Sequence, residues 1–303
     1  MTAKVLGGRE LAAALKARVA GEAESLEWRG ISPTLAVVVA TDDDATQWYV
    51  RSIANSADKA GLHCRIADLG PDAPEGRIAD ELAALASDPA VHGLMLQTPL
   101  PAGVSSPRLV ALIPPEKDVD GANPLSLGRL AVGEPAFAPA TARSVVELLD
   151  HHGIEIAGRH VSVVGRSAVV GKPLLHLLLR RDATVTICHS RSAPLARFTR
   201  PADIVVVAAG RARLLTADHV SAGAVVVDVG THVLPDGSLA GDADEASVSE
   251  VAAALSPVPG GVGSVTTALL LLHTVEAAGQ VHTVRSGWDG VFSGALPDSR
   301  RSS

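Results

Sequence analysis

The sequence predicts an α/β protein of two domains with parallel-type sheets, the second Rossmann-like. Three observations carry this. Short Val-rich runs, such as residues 34–40 and 204–208, alternate with amphipathic stretches of helical period. At 303 residues the chain exceeds the usual single domain. A stretch rich in Pro, Gly and Asp, residues 99–142, interrupts the alternation midway.

Taken in order, residues 10–27 form an amphipathic helix and residues 34–40 a buried strand. Asp42, Asp43 and Asp44 offer an N-cap for a helix running toward Gly61, a glycine suited to the position just past a helix end. Strands at 62–68 and 91–97 flank a helix at 75–86, a βαβ rhythm that predicts a parallel sheet. Residues 99–142 read as loops and a linker. A helix at 141–152 ends at Gly153, and strands at 160–165, 184–188, 204–208 and 224–229 build a second parallel sheet. The apolar stretch 262–278 reads as a helix that crosses back onto the first domain. The expected domains are residues 1–138 plus 263–279, and residues 139–262, with 280–303 as a mobile tail.

Hydrophobic residues make up 47% of the chain and the net charge is -7, a globular composition without a basic footprint, so nucleic acid and anionic membrane surfaces are not expected partners. Cys64 and Cys188 are the only cysteines, with no spacing for metal or a disulfide framework; this fits a reducing cytoplasm. The first residues lack a signal-sequence pattern, and the apolar runs read as too short and interrupted to span a bilayer. The expected setting is cytoplasmic.

The segment Val163-Val164-Gly165-Arg166-Ser167-Ala168-Val169-Val170-Gly171-Lys172-Pro173 reads as strand, tight turn and helix start. Ser167 stands where the common fingerprint has its second glycine, and Gly171 comes one residue late. The physics still suits a pyrophosphate: Gly165 permits the turn, free amides near residues 169–171 face an anion, and the helix dipole favours negative charge. The alternative is an ordinary strand-to-helix loop. The next strand ends at His189, Ser190 and Arg191, roughly 20 residues on, where a free ribose hydroxyl would call for Asp or Glu. No acid stands there, while Arg166, Ser190 and Arg191 suit a 2′-phosphate, so NADP is preferred to NAD.

Ligands in open α/β sheets bind beyond the carboxyl ends of the strands, which singles out Tyr49 and Gln97. Tyr49 is also readable as a helix residue packing on the sheet, and Gln97 as satisfying backbone in its own turn. Asp118 and Asp120, in KDVDG, suit an amino-substituted heterocycle or the capping of a turn.

The ordered set TQWYV, QTPLP, KDVDG, VVGRSAVVGKP, CHSR and PVPGGVGSVT, spanning roughly residues 3–279, resembles the bifunctional methylenetetrahydrofolate dehydrogenase and methenyltetrahydrofolate cyclohydrolase family. The resemblance implies a folate-binding cleft between the two α/β domains, with Asp120 holding the pterin, Tyr49 stacking near the one-carbon group and Gln97 positioning the reacting end. It implies substrate contacts at Pro259, Gly260 and Gly261, in a closing loop over 259–266. It places NADP on Gly165, Arg166, Ser167, Val170, Gly171, His189, Ser190, Arg191, Gly230, Thr231 and Thr266, in a homodimer joined through the cofactor domains.

The family's helix carries tyrosine, three residues, then an acid-base lysine; here that position is Ile53. It lies one turn from Tyr49 on the same face, and neither Arg51 nor Lys59 replaces it. Hydride transfer depends on proximity and orientation. Ring opening needs proton transfer, for which a positioned group is worth about 10²–10⁴-fold. The residues therefore predict an NADP-dependent dehydrogenase with the hydrolysis weak or lost. The alternatives are the full bifunctional enzyme and a non-catalytic folate- or NADP-binding paralogue. Thr98, Ala140, Ala142, Ser264, Val265, Thr231 and His232 also depart from the family pattern near the cleft.

Overall fold

The structure is a computed structural model that describes residues 3–289, with side chains described through Gln280. The first half runs β1 (Lys4–Val5), α1 (Arg9–Glu27), β2 (Thr34–Val39), α2 (Asp44–Lys59), β3 (His63–Asp68), α3 (Glu75–Ser87) and β4 (Gly93–Leu96). Helices α4 (Ser106–Val110), α5 (Pro124–Val132) and α6 (Ala140–His151) lead into the second half. There follow β5 (His160–Val164), α7 (Gly171–Leu179), β6 (Thr184–Cys188), α8 (Ala196–Thr199), β7 (Ile204–Val207) and β8 (Val225–Asp228). The hairpin strands β9 (His232–Val233) and β10 (Leu239–Ala240), then α9 (Glu245–Ser249), β11 (Ala254–Leu255) and α10 (Val262–Asp289), complete the described chain.

Two parallel sheets result, as the alternation predicts. One has the order β3-β2-β4, the other β1-β11-β8-β7-β5-β6. Every residue of β2, β4 and β7 is buried, which is why these strands read as unbroken apolar runs: helices cover both faces of a parallel sheet. Edge strands β3 and β6 are half open. In each sheet the chain steps to one side, β2 to β3 or β5 to β6, then crosses to the other, β4 or β7. The two reversals mark the expected ligand-binding ends of the sheets.

Helix α1 buries Ala12, Leu15, Val19, Ala23 and Leu26, a single stripe packed on α10. Helix α2 starts where Asp43 accepts from the Thr46 amide at 2.8 Å, so the acidic cluster does cap it. Helix α10 packs on both α1 and α6 and therefore binds the two halves together.

Several expectations are corrected. Residues 4–5, grouped with the first domain by sequence, pair with β11 in the second sheet. The stretch expected to be loops and linker contains α4 and α5. Asn123 caps α5 through the Leu125 amide at 2.6 Å, Pro124 opens it, and Gly133 ends it in the left-handed region. Residues 281–289, expected in the tail, continue α10, while 290–303 lie outside the described residues. Among the described residues one helix, Val262–Gln280, is by length and composition apolar enough to cross a membrane; it is mostly buried inside the protein.

Candidate active site

Gln97 directly follows β4, at the first reversal. Its amide bonds the Val38 carbonyl at 2.9 Å, and its side-chain Nε2 donates to the Thr98 carbonyl at 2.9 Å. Tyr49 projects from α2, the helix that leaves β2, and is partly buried against the first core. Burial, with the negative charge of Asp120 adding to it, pushes the phenol up to about 12; the Thr267 hydroxyl on α10 opposes this weakly. Tyr49 and Asp120 are thus close enough to act on one another.

The KDVDG loop divides its two carboxylates between the roles left open by the sequence. Asp118 is fully buried and accepts from the amides of Ala122 at 3.0 Å and Asn123 at 2.9 Å, so it is the turn-capping residue. Lys117 donates to the carbonyls of Ala86 and Asp88, both at 2.7 Å, which pins the loop to the end of α3. Asp120 makes no hydrogen bond among the described residues. Burial, with Asp118 beside it, pushes its carboxyl up to about 7.

Ile53 has 0% exposure and sits in the core shared by α2, β2 and α10. Arg51 and Lys59 are exposed. In the turn of α2 after Tyr49 the cation is Arg51, which is exposed, while position 53 carries none.

At the second reversal Gly165 ends β5 with φ of +142°, and a Cβ there would strike the Ala208 carbonyl at the end of β7. A Cβ on Gly171 would strike the Gly165 carbonyl. Both glycines are required by backbone contact. The turn between them is corrected in one detail: the Val170 amide is taken by the Ser167 hydroxyl at 3.1 Å. The amides of Val169 and Gly171 keep no partner among the described residues, and α7 begins there without a side-chain cap. Arg166, Ser167, Ser190 and Arg191 are exposed around this turn. His189 is tied back, its Nδ1 accepting from the Arg191 amide at 3.1 Å. These residues fit a dinucleotide: close backbone approach, an open helix start and cations without a competing acid.

Thr266 lies in the first turns of α10. It is buried, its hydroxyl donates to the Val262 carbonyl at 3.2 Å, and it meets Ser144 Oγ at 3.1 Å, so it joins α10 to α6. Residues 262–266, expected in a closing loop, are the first turns of α10. Pro259 is exposed, and the Gly260 carbonyl accepts from the Gly8 amide at 2.8 Å.

A carboxylate pair unseen in the sequence shapes the loops that carry Gly230 and Thr231. Asp242, fully buried, accepts from the amides of Ala209 at 2.5 Å, Gly210 at 3.0 Å and Arg211 at 2.8 Å, and pairs with His232 Nε2 at 2.7 Å. Asp228 accepts from Gly230 at 2.8 Å, Asp242 at 3.0 Å and Ala243 at 2.7 Å. Burial holds Asp228 up at about 6 despite these amides. The signal available in the sequence was an aspartate closing the run Val225-Val226-Val227.

Residues 6–120 match the family model described as tetrahydrofolate dehydrogenase/cyclohydrolase, catalytic domain, and residues 139–282 match that family's NAD(P)-binding domain. The chain is 69% identical over 280 residues to "Bifunctional protein FolD 1" of Paenarthrobacter aurescens, covering 92% of this chain and 95% of that one. Among solved structures it superposes on the bifunctional FolD enzyme of Campylobacter jejuni with TM-score 0.89 and 35% identity, over 92% of this chain and 99% of the other. The Trypanosoma brucei FolD, solved with NADP cofactor and an inhibitor, gives TM-score 0.88 at 34% identity, over 93% of this chain and 99% of the other. Both halves of the molecule are accounted for by one assignment: the chain belongs to the tetrahydrofolate dehydrogenase/cyclohydrolase family.

Proposed function

We propose that the protein oxidises 5,10-methylenetetrahydrofolate to the 5,10-methenyl form with NADP, and then hydrolyses that product to 10-formyltetrahydrofolate. The carrying observation is the pair of strand-order reversals in one chain, one bearing Tyr49, Gln97 and Asp120, the other the open turn from Gly165 to Gly171. The FolD names of the relatives support both steps and favour this reading over loss of the hydrolysis. NADP, when bound, supplies a hydride acceptor.

Gly165, Val169 and Gly171 would cradle the pyrophosphate, and Arg166, Ser190 and Arg191 the 2′-phosphate. Asp120 would hold the amino-substituted pterin, Tyr49 would pack on the substrate near the one-carbon group, and Gln97 would orient it. No protein proton moves in the oxidation. Hydrolysis adds water to the methenyl carbon and breaks one carbon–nitrogen bond, which requires a proton for the leaving nitrogen. Tyr49, held near 12, stays protonated and is a poor base at neutral pH. Asp120 is committed to the amino-substituted ring and Ile53 carries no exchangeable proton, so a water bound in the cleft would carry the proton to the leaving nitrogen. Following turnover at separate wavelengths for NADPH and the methenyl product tests both steps: both signals rise, and the methenyl signal then decays faster than in buffer.

The second reading, a dehydrogenase without the hydrolysis, is favoured by Ile53, an inert side chain at full burial one turn from Tyr49. A pH–rate profile of methenyl hydrolysis separates the two. An enzymatic excess over the uncatalysed profile supports two steps, and superposition on it supports one.

A further inference from the structure

His273 lies on α10, is completely buried, and has both ring nitrogens engaged. Nδ1 is 2.7 Å from the Val119 carbonyl, which can only accept, so Nδ1 carries the proton. Nε2 is 2.8 Å from Arg143 Nη1, which can only donate. Burial, with the Arg143 charge adding to it, lowers the imidazole to about 4, so this tautomer persists at neutral pH. Arg143 belongs to the first turn of α6 and is held by Glu147 at 3.0 Å. The Phe137 ring packs on the imidazole with centroids 4.9 Å apart.

Val119 is the residue between Asp118 and Asp120. On the far side of Asp120, Gly121 turns with φ of +66°, and a Cβ there would meet the Pro139 nitrogen at 2.5 Å and the Phe137 carbonyl at 2.7 Å. The backbone of Asp120 is therefore gripped on both sides by the segment that enters α6 and by the helix joining the two halves.

We infer that Arg143 and His273 are positioning residues for Asp120: through the Val119 carbonyl they set its carboxyl against the folate-type substrate and tie that setting to α6. This rests on the function proposed above. Neither residue touches substrate in this role, so the effect belongs to folate affinity and leaves NADP affinity alone.

Three variants test it. His273→Leu removes both bonds. His273→Gln retains an N–H for Val119 and an oxygen for Arg143. Arg143→Met removes the donor to Nε2, together with the Glu147 pair, from a side chain 27% exposed, and leaves the bond to Val119 in place. Steady-state kinetics and calorimetry with tetrahydrofolate should show His273→Leu and Arg143→Met raising the folate KM and Kd about tenfold, about 1.4 kcal/mol. The NADP KM should stay within about twofold, and His273→Gln within about threefold of the parent. If His273→Leu does not fold, Arg143→Met decides. Parental folate affinity in Arg143→Met, or His273→Gln as impaired as His273→Leu, overturns the positioning role. A parent protein that binds no tetrahydrofolate overturns the underlying function, and the role with it.

Discussion

The two reversals solve the same problem with different materials. The second is built from backbone: two glycines in contact, unpartnered amides and the start of α7. The first is built from side chains on three separate segments, Tyr49 on α2, Gln97 after β4 and Asp120 in a loop braced from α3, α6 and α10. A backbone site tolerates many side chains but no Cβ at its glycines. A side-chain site depends on the identity and ionisation of each group, and it is where this chain carries Ile53.

The largest expected effect exploits that difference. Ile53→Lys should raise methenyl hydrolysis by about 10²-fold, since the oxidation needs no acid-base group and the ring opening does. The same change places an amine at a fully buried position, so it should lower Tm, and the NADPH-forming rate should change little. Hydrolysis unchanged by a folded Ile53→Lys protein would show that position 53 does not limit the second step.

Gly165→Ala should act on the other site alone. The new Cβ meets the Ala208 carbonyl in a backbone region that L-residues rarely adopt, so NADP affinity should fall by on the order of 100-fold. Calorimetry showing parental NADP affinity would remove the close-approach argument.

Asp120→Asn should raise the folate KM about tenfold by exchanging a charge-assisted acceptor for a neutral amide. A smaller effect concerns stability. The folded carboxyl is raised to about 7 and the unfolded one is near 3.9, so between these values the folded state binds more protons. Its contribution is present below about pH 4 and is lost as pH rises to 7. Asp120→Asn should therefore gain more in Tm at pH 8 than at pH 4, a difference read by thermal melts at the two pH values. Equal gains at both pH values would mean that Asp120 titrates normally.

Legibility in the sequence follows the same division. Strands β2, β5 and β7 and the turn at Gly165 were readable because apolar runs and glycines encode them locally. Helix α5 had its signals, Asn123-Pro124 and Gly133, but they sat in a stretch whose Pro and Gly content suggested linker. Strand β1 is two residues long and exists only through pairing with β11, some 250 positions away, so no local pattern marks it. The contact of Thr266 with Ser144 on α6 joins segments far apart in the chain, so spacing does not carry it. The roles of Asp242 and His273 arise from contacts between distant segments, which spacing does not carry.

The most direct measurement is calorimetry of the parent, Gly165→Ala and Asp120→Asn, each titrated with NADP and with tetrahydrofolate. The account predicts a crossed pattern: the parent binds both ligands, Gly165→Ala loses NADP and keeps tetrahydrofolate, and Asp120→Asn weakens tetrahydrofolate and keeps NADP. Loss of the wrong ligand, or parental affinity in both variants, would contradict the assignment of the two reversals.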